Sequence, residues 1–198
     1  MKPLIALLLV MIICGLAFAS GWWEGQKGVL SVGAGHSILV TSPDGTNVTY
    51  SWGRNDAGQL GDDSTTNSGL PVTTLLDGGV YVSAGHSHSC AVDNESKAWC
   101  WGFQHYGRLG NGQTTAAYVL TPTQVNDTSG MLNASVIAAG EEHSCAIDLD
   151  GVMWCWGQNL DGRLGDGTTT LRSTPVKVNS TLLGEEVVFI DSGVNSTV

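Results

Sequence analysis

Ala139-Gly140-Glu141-Glu142-His143-Ser144-Cys145-Ala146-Ile147-Asp148-Leu149-Asp150-Gly151-Val152-Met153-Trp154-Cys155-Trp156-Gly157 is the stretch on which the fold turns. Two short runs rich in β-branched, aromatic and Cys residues flank Leu149-Asp150-Gly151. A three-residue loop ending in Gly suits a type I turn followed by a left-handed residue, the geometry of a β-hairpin. That register sets Asp148 opposite Val152 and Cys145 opposite Cys155. No segment of the chain sustains a 3.6-residue apolar period, so helix content should be very low.

The same markers recur outward from this stretch. Gly33-x-x-His36-Ser37, Ala84-Gly85-x-x-His88-Ser89 and Ala139-Gly140-x-x-His143-Ser144 stand 52 residues (36 to 88) and 55 residues (88 to 143) apart. Each His is followed by Trp-Gly: Trp52-Gly53, Trp101-Gly102 and Trp156-Gly157. The first spacing is three residues longer than the other two, which places an insertion in the turn around Pro43-Asp44-Gly45. A Gly-Gln/Arg-Leu-Gly unit comes next, at Gly58–Gly61, Gly107–Gly110 and Gly162–Gly165. A Thr pair follows, and then Pro71, Pro122 or Pro175 leads into a short Val-containing run. A fixed period of this length marks a repeat architecture, and short strands with Gly-rich turns fit an all-β propeller or solenoid.

These residues resemble the regulator of chromosome condensation repeat, over about Val29 to Val178. The resemblance implies a seven-bladed β-propeller with one four-stranded blade per repeat length. Three blades are expected here: 29–81, 82–135 and 136–188. An N-terminal linker at 20–28 precedes them and a partial fourth repeat at 189–198 follows, so the propeller is incomplete against seven. Two family activities are implied as well: nucleotide exchange on a nuclear GTPase, and inhibition of secreted enzymes. The repeat markers hold the fold and carry neither activity over to a named residue.

Residues 1–19 read as a signal peptide. Lys2 supplies a positive charge, Leu4 to Phe18 are almost wholly apolar, and Ala17-Phe18-Ala19 is a cleavage motif. An apolar run of about 15 residues is shorter than a spanning helix needs. Export predicts a secreted, cell-surface or periplasmic location. Net charge is −10 with scattered basic residues. Nucleic acid, which is bound through clustered positive charge, is therefore a poor partner class, and no membrane span is expected after cleavage.

Cys90 and Cys100 occupy the repeat positions of Cys145 and Cys155, whereas repeat one has Ile38 and Ser51 there. Both cysteines of a blade are present or both absent. That pattern predicts Cys90–Cys100 and Cys145–Cys155 disulfides within blades, consistent with an oxidising compartment. The ten-residue spacing is wrong for a zinc site, whose ligands come in close pairs. The acidic turns at Asp148–Gly151 and Asp161–Asp166 lack the ligand series of a calcium loop. No metal or other cofactor is expected.

His36, His88 and His143 recur one per blade, which points to a structural hydrogen-bonding role, and Trp52, Trp101 and Trp156 to packing between blades. No nucleophile motif or catalytic cluster is visible, so no catalytic residue is assigned. The variable loop Phe103-Gln104-His105-Tyr106 is the most aromatic of its kind, and Phe103, His105 and Tyr106 are candidates for a protein contact. Six of the ten Asn open an Asn-x-Ser/Thr triplet (Asn47, Asn94, Asn126, Asn133, Asn179 and Asn195), where chance would give about two. They are candidate glycosylation sites. The function expected is a non-catalytic, extracytoplasmic protein-binding or scaffold module whose partner is a secreted or cell-surface protein. Its alternatives are a secreted propeller enzyme of lyase or glycosidase type and an exchange-factor-like regulator. Three blades leave uncovered sheet faces, which predicts either a fragment of a longer propeller or a homo-oligomer.

Overall fold

A computed structural model describes residues 29–42, 44–126, 133–179 and 190–191. The leader at 1–19, the linker at 20–28 and Asn195 lie outside them, as does the partial fourth repeat apart from Ile190 and Asp191, which are neither helix nor strand.

Twelve strands form three antiparallel sheets of four, each in chain order. The first contains β1 (Val29–Val32), β2 (His36–Thr41), β3 (Val48–Gly53) and β4 (Ser68–Thr73). The second contains β5 (Gly79–Ala84), β6 (His88–Asp93), β7 (Ala98–Phe103) and β8 (Tyr118–Gln124). The third contains β9 (Ala134–Ala139), β10 (His143–Asp148), β11 (Met153–Gly157) and β12 (Arg172–Lys177). The only helical element among the described residues is a 3-10 turn at His105–Gly107. Each sheet is one blade, and β1 packs on β5 and β5 on β9.

The hairpin register is the one the turn chemistry requires. Cys145 faces Cys155, the Asp148 amide donates to the Val152 carbonyl at 3.0 Å, and Gly151 is left-handed at φ 74°. The repeat boundaries drawn at 81/82 and 135/136 fall inside β5 and β9. The blades start earlier, at Gly79 and Ala134, because the Ala-Gly marker closes the inner strand: Ala84 and Ala139 are the last residues of β5 and β9.

The core lies between sheets. Trp156, Leu109, Val125 and Ile137 pack with the half-cystines of blade 2 at one junction. Trp101, Ile38, Val82 and Ala91 fill the other. Every residue of β6 is buried, since a blade covers each of its faces. In β2 burial alternates residue by residue, because a described sheet covers only one face.

Candidate protein-binding face

Both blade junctions use one hydrogen-bond relay. His36 Nε2 lies 2.7 Å from Ser89 Oγ of the next blade, and Ser89 donates its hydrogen to the Gln59 carbonyl at 2.8 Å. Trp101 Nε1 donates to that same carbonyl at 2.9 Å. At the second junction His88 Nε2 meets Ser144 Oγ at 2.9 Å. Ser144 and Trp156 both donate to the Arg108 carbonyl, each at 2.9 Å. A serine has one hydrogen to give, so Nε2–H of each His is the donor toward it. Nδ1 of both rings is then a bare, buried acceptor without a partner. Burial, foremost, and the neighbouring His86 lower the His36 pKa to about 4. Burial, then Arg163, does the same to His143, also to about 4. Burial holds His88 well below the ordinary value. Protonation would add an unpaired buried N–H as well as a buried charge.

The relay explains the Gly-Gln/Arg-Leu-Gly unit. Its second residue offers the shared carbonyl, and its Leu is fully buried at Leu60 and Leu109. Its last Gly has φ 69° at Gly61 and 68° at Gly110. A Cβ there would stand 2.6 Å from Trp101 Nε1 or 2.7 Å from Trp156 Nε1, so only glycine both adopts the turn and admits the indole. Trp52, the first of the series, is half-buried.

Cys90–Cys100 and Cys145–Cys155 are disulfide-bonded across the central hairpins, with Cα separations of 4.1 and 4.0 Å. In blade 1 the same pairing joins Ile38 to Ser51. Ser51 Oγ donates to the Leu60 carbonyl at 2.7 Å and accepts from Thr74 Oγ1 at 3.1 Å.

Two features escaped the sequence reading. Asp93 and Asp148 lock their hairpin turns: one carboxylate oxygen of Asp148 accepts from the Asp150 and Val152 amides, and the other from Trp154 Nε1 at 2.9 Å. Asp93 does the same with Glu95, Lys97 and Trp99. Asn55 and Asn159 are buried organisers of the loops after β3 and β11. Asn55 Oδ1 accepts from the Leu60 amide, and Asn159 Oδ1 from the Leu164 amide. Both recur three residues before the Gly that opens the Gly-Gln/Arg-Leu-Gly unit, a signal available to self-alignment. Gln104 takes the position in blade 2.

The loops at this end of the sheets carry the candidate contact. His105 and Tyr106 stack at 3.7 Å, and Phe103 lies 5.6 Å from His105 and 5.5 Å from Tyr118. Arg108 is buried beneath them, its guanidinium carbon 5.0 Å from the Phe103 centroid and 6.0 Å from that of Tyr106. It donates to the His105 carbonyl at 2.9 Å and, across the junction, to the Glu141 carbonyl at 2.8 Å. The structure thus brings Phe103, His105 and Tyr106 together as one half-buried cluster clamped from below by a cation. A cleft of about 340 Å³ near the β6–β7 turn is lined by Leu76, Asp77, Asp93, Lys97 and Trp99 among others. Its Asp93 is engaged in the turn and Lys97 pairs with Glu95.

No group of three or more metal-binding side chains occurs among the described residues, and none of their helices is long and apolar enough to cross a membrane. Of the candidate glycosylation residues, Asn94, Asn126, Asn133 and Asn179 are exposed and Asn47 is half-buried.

Comparison with known proteins agrees with this geometry. The family model described as the regulator of chromosome condensation (RCC1) repeat matches residues 47–92, 95–147 and 150–198. The ultraviolet-B receptor UVR8 of Arabidopsis thaliana is 33% identical over 172 residues, covering 85% of this chain and 38% of the receptor. The human E3 ubiquitin-protein ligase HERC2 is 31% identical over 174 residues, 86% of this chain and 4% of the ligase. The chain thus spans well under half the length of these relatives. Yeast RCC1 (Prp20), solved bound to Kap60, superposes with a TM-score of 0.67 at 23% identity, covering 83% of this chain and 39% of Prp20. Human WBSCR16 gives 0.64 at 22% identity, with 75% and 38% covered. The first two matched repeats each begin at the third strand of one blade and run into the second strand of the next, and the third begins at β11, so sequence repeat and blade are out of phase by two strands. Three matched repeats, three four-stranded sheets and the shared fold make this chain a member of the RCC1 repeat family that presents part of a β-propeller.

Proposed function

We propose that the chain is a non-catalytic, extracytoplasmic protein-binding or scaffold module whose partner, a secreted or cell-surface protein, docks on the loops that follow β3, β7 and β11. The observation that carries this is the contrast between frame and loop. The relay at the two junctions is the same, while the loop hung on it changes from Arg54-Asn55-Asp56-Ala57 to Phe103-Gln104-His105-Tyr106 to Gln158-Asn159-Leu160-Asp161. Fixed scaffold positions are occupied with folding, so recognition falls to the positions that vary. Phe103, His105 and Tyr106 supply preordered aromatic area, the kind that anchors protein interfaces. The apolar leader and the two disulfides support export. Relatives are consistent with protein binding: a study of yeast Prp20p describes its binding to Gsp1p and histones.

The test is capture of proteins from the secreted fraction of the source cells by the oxidised chain, compared with a Phe103→Ala/His105→Ala/Tyr106→Ala variant whose disulfide map is unchanged. Loss of about 2 kcal/mol or more in affinity is expected for anchor residues of this type. Equal capture by both proteins would remove the assignment.

A further inference from the structure

Nine of the ten Asn residues lie among the described residues, and the fold sorts them by their neighbours in sequence. Five open an Asn-x-Ser/Thr triplet, and all five sit at one end of the sheets. Asn47 is in the β2–β3 turn, and Asn94 in the β6–β7 turn, where its amide donates to the Gly78 carbonyl ahead of β5. The Asn133 carbonyl accepts from Leu149 in the β10–β11 turn. Asn126 and Asn179 follow Val125 and Val178, whose amides pair with Ala98 and Met153 where β7 and β11 begin. The four Asn without a triplet (Asn55, Asn67, Asn111 and Asn159) all lie in the loops at the opposite end. There each has a structural bond: Asn67 Oδ1 to the Asn55 amide, Asn111 Nδ2 to Gln104, and Asn55 and Asn159 across their loops.

A second, independent observation concerns Thr49, the third residue of the Asn47 triplet. Its hydroxyl is buried and has no hydrogen-bond partner, and the residue is 1% exposed. A buried unpaired hydroxyl is unfavourable, and valine would fill nearly the same space without one. The folded protein has no use for this oxygen. A glycosyltransferase does, because it reads Asn-x-Ser/Thr, and it can do so on the chain before the strands close over it.

We propose that the chain carries N-linked glycans at Asn47, Asn94, Asn126, Asn133 and Asn179, so that sugar covers one end of the three sheets and leaves the Phe103–Tyr106 end bare. In the transfer, the side-chain amide nitrogen attacks the anomeric carbon of a polyprenyl-diphosphate-linked oligosaccharide. One N–C bond forms, one C–O bond breaks, the polyprenyl diphosphate departs and the amide gives up one proton. This rests on the extracytoplasmic reading, since the donor is met only on export.

The experiment expresses the full chain with its own leader in a secreting eukaryotic cell. Protein from medium and cells is treated with peptide N-glycosidase in heavy-oxygen water, which marks each formerly glycosylated Asn as a labelled Asp for peptide mapping. Label at four or five of the five sites is the expected result, and label at three or fewer on secreted protein overturns the inference. Retention of an unglycosylated chain inside the cell defeats the extracytoplasmic reading instead. Thr49→Val is expected to lose the glycan at Asn47 alone. Compared with the enzymatically deglycosylated parent, it should melt at the same temperature or higher, and a lower melting temperature would give the hydroxyl a structural role and count against the proposal.

Discussion

Blade 1 and blade 2 share one strand order and one set of repeat markers, yet they are held together differently. Blade 2 has a disulfide between its central strands, a carboxylate lock on its hairpin turn, and a neighbour on each face. Blade 1 has Ile38 against Ser51, Thr41 and Tyr50 where blade 2 has Asp93 and Trp99, and a described sheet on one face only. It replaces the covalent bond with the Leu60–Ser51–Thr74 hydrogen bonds. The difference teaches that the repeat specifies a shape, and that the means of fixing the middle of each blade is interchangeable.

The largest expected effect comes from breaking the covalent side of this contrast. Each bridge closes a loop of ten-residue separation, for which the chain-entropy model gives about 3 kcal/mol. Denaturant unfolding with and without reductant should show that loss for Cys90→Ala/Cys100→Ala and again for Cys145→Ala/Cys155→Ala. Ile38→Cys/Ser51→Cys, placed in the same register, should form a third bridge detectable by non-reducing peptide mapping.

Acid should act next, through the buried histidine that each blade carries at the same repeat position. A histidine whose folded pKa is lowered binds its proton more readily when unfolded. Its contribution is therefore complete above the unfolded value near 6.5 and is lost as pH falls toward about 4, the folded value at His36 and His143. Each could cost at most about 3 kcal/mol over that window. Stability measured from pH 8 to 4 should be flat at first and then decline below about 6.5, and His36→Gln should flatten part of the decline.

The turn locks give a smaller effect. Asp148→Asn keeps the size of a side chain that accepts from three donors but turns one acceptor into an amide facing Trp154. A loss of about 1–3 kcal/mol is expected by thermal or denaturant unfolding. The equivalent change at Thr41, Thr41→Asn, should fall within about 0.5 kcal/mol.

The smallest effect sharpens the comparison most. Ser144→Ala leaves His88 Nε2–H buried without its acceptor and should cost about 1–2 kcal/mol. Ser37→Ala, the same repeat position in a blade with no described neighbour on that side, should leave the melting temperature unchanged. Equal losses would mean that Ser37 has a partner too.

Much of this was legible because its signals are local or periodic. The hairpin register follows from one Gly-containing turn, and the cysteine pairing from positions present or absent together. The blade boundaries were not, because the recurring Ala-Gly marks the end of the inner strand and the weaker starts at Gly79 and Ala134 carry no marker. Which atoms His36 and His88 meet was also out of reach, since Ser89 and Ser144 become their partners only when blades stack. Arg108 was invisible for a related reason. At its repeat position Gln59 and Arg163 turn their side chains to their own loops, and only the Phe103 and Glu141 surroundings draw Arg108 across the junction.

The two-strand offset between matched repeat and blade bears on what a protease can do. Cys90 lies in the matched repeat 47–92 and Cys100 in 95–147, while Cys145 and Cys155 likewise straddle the boundary before 150–198. The peptide bonds between repeats run through the β6–β7 and β10–β11 turns, the exposed places where a backbone is most readily nicked. A cut at either turn would sever the polypeptide but not the particle, since each cut lies inside a loop closed by a disulfide and by the pairing of two strands. The oxidised protein can therefore be cleaved at both repeat boundaries and still migrate as one piece until the thiols are restored.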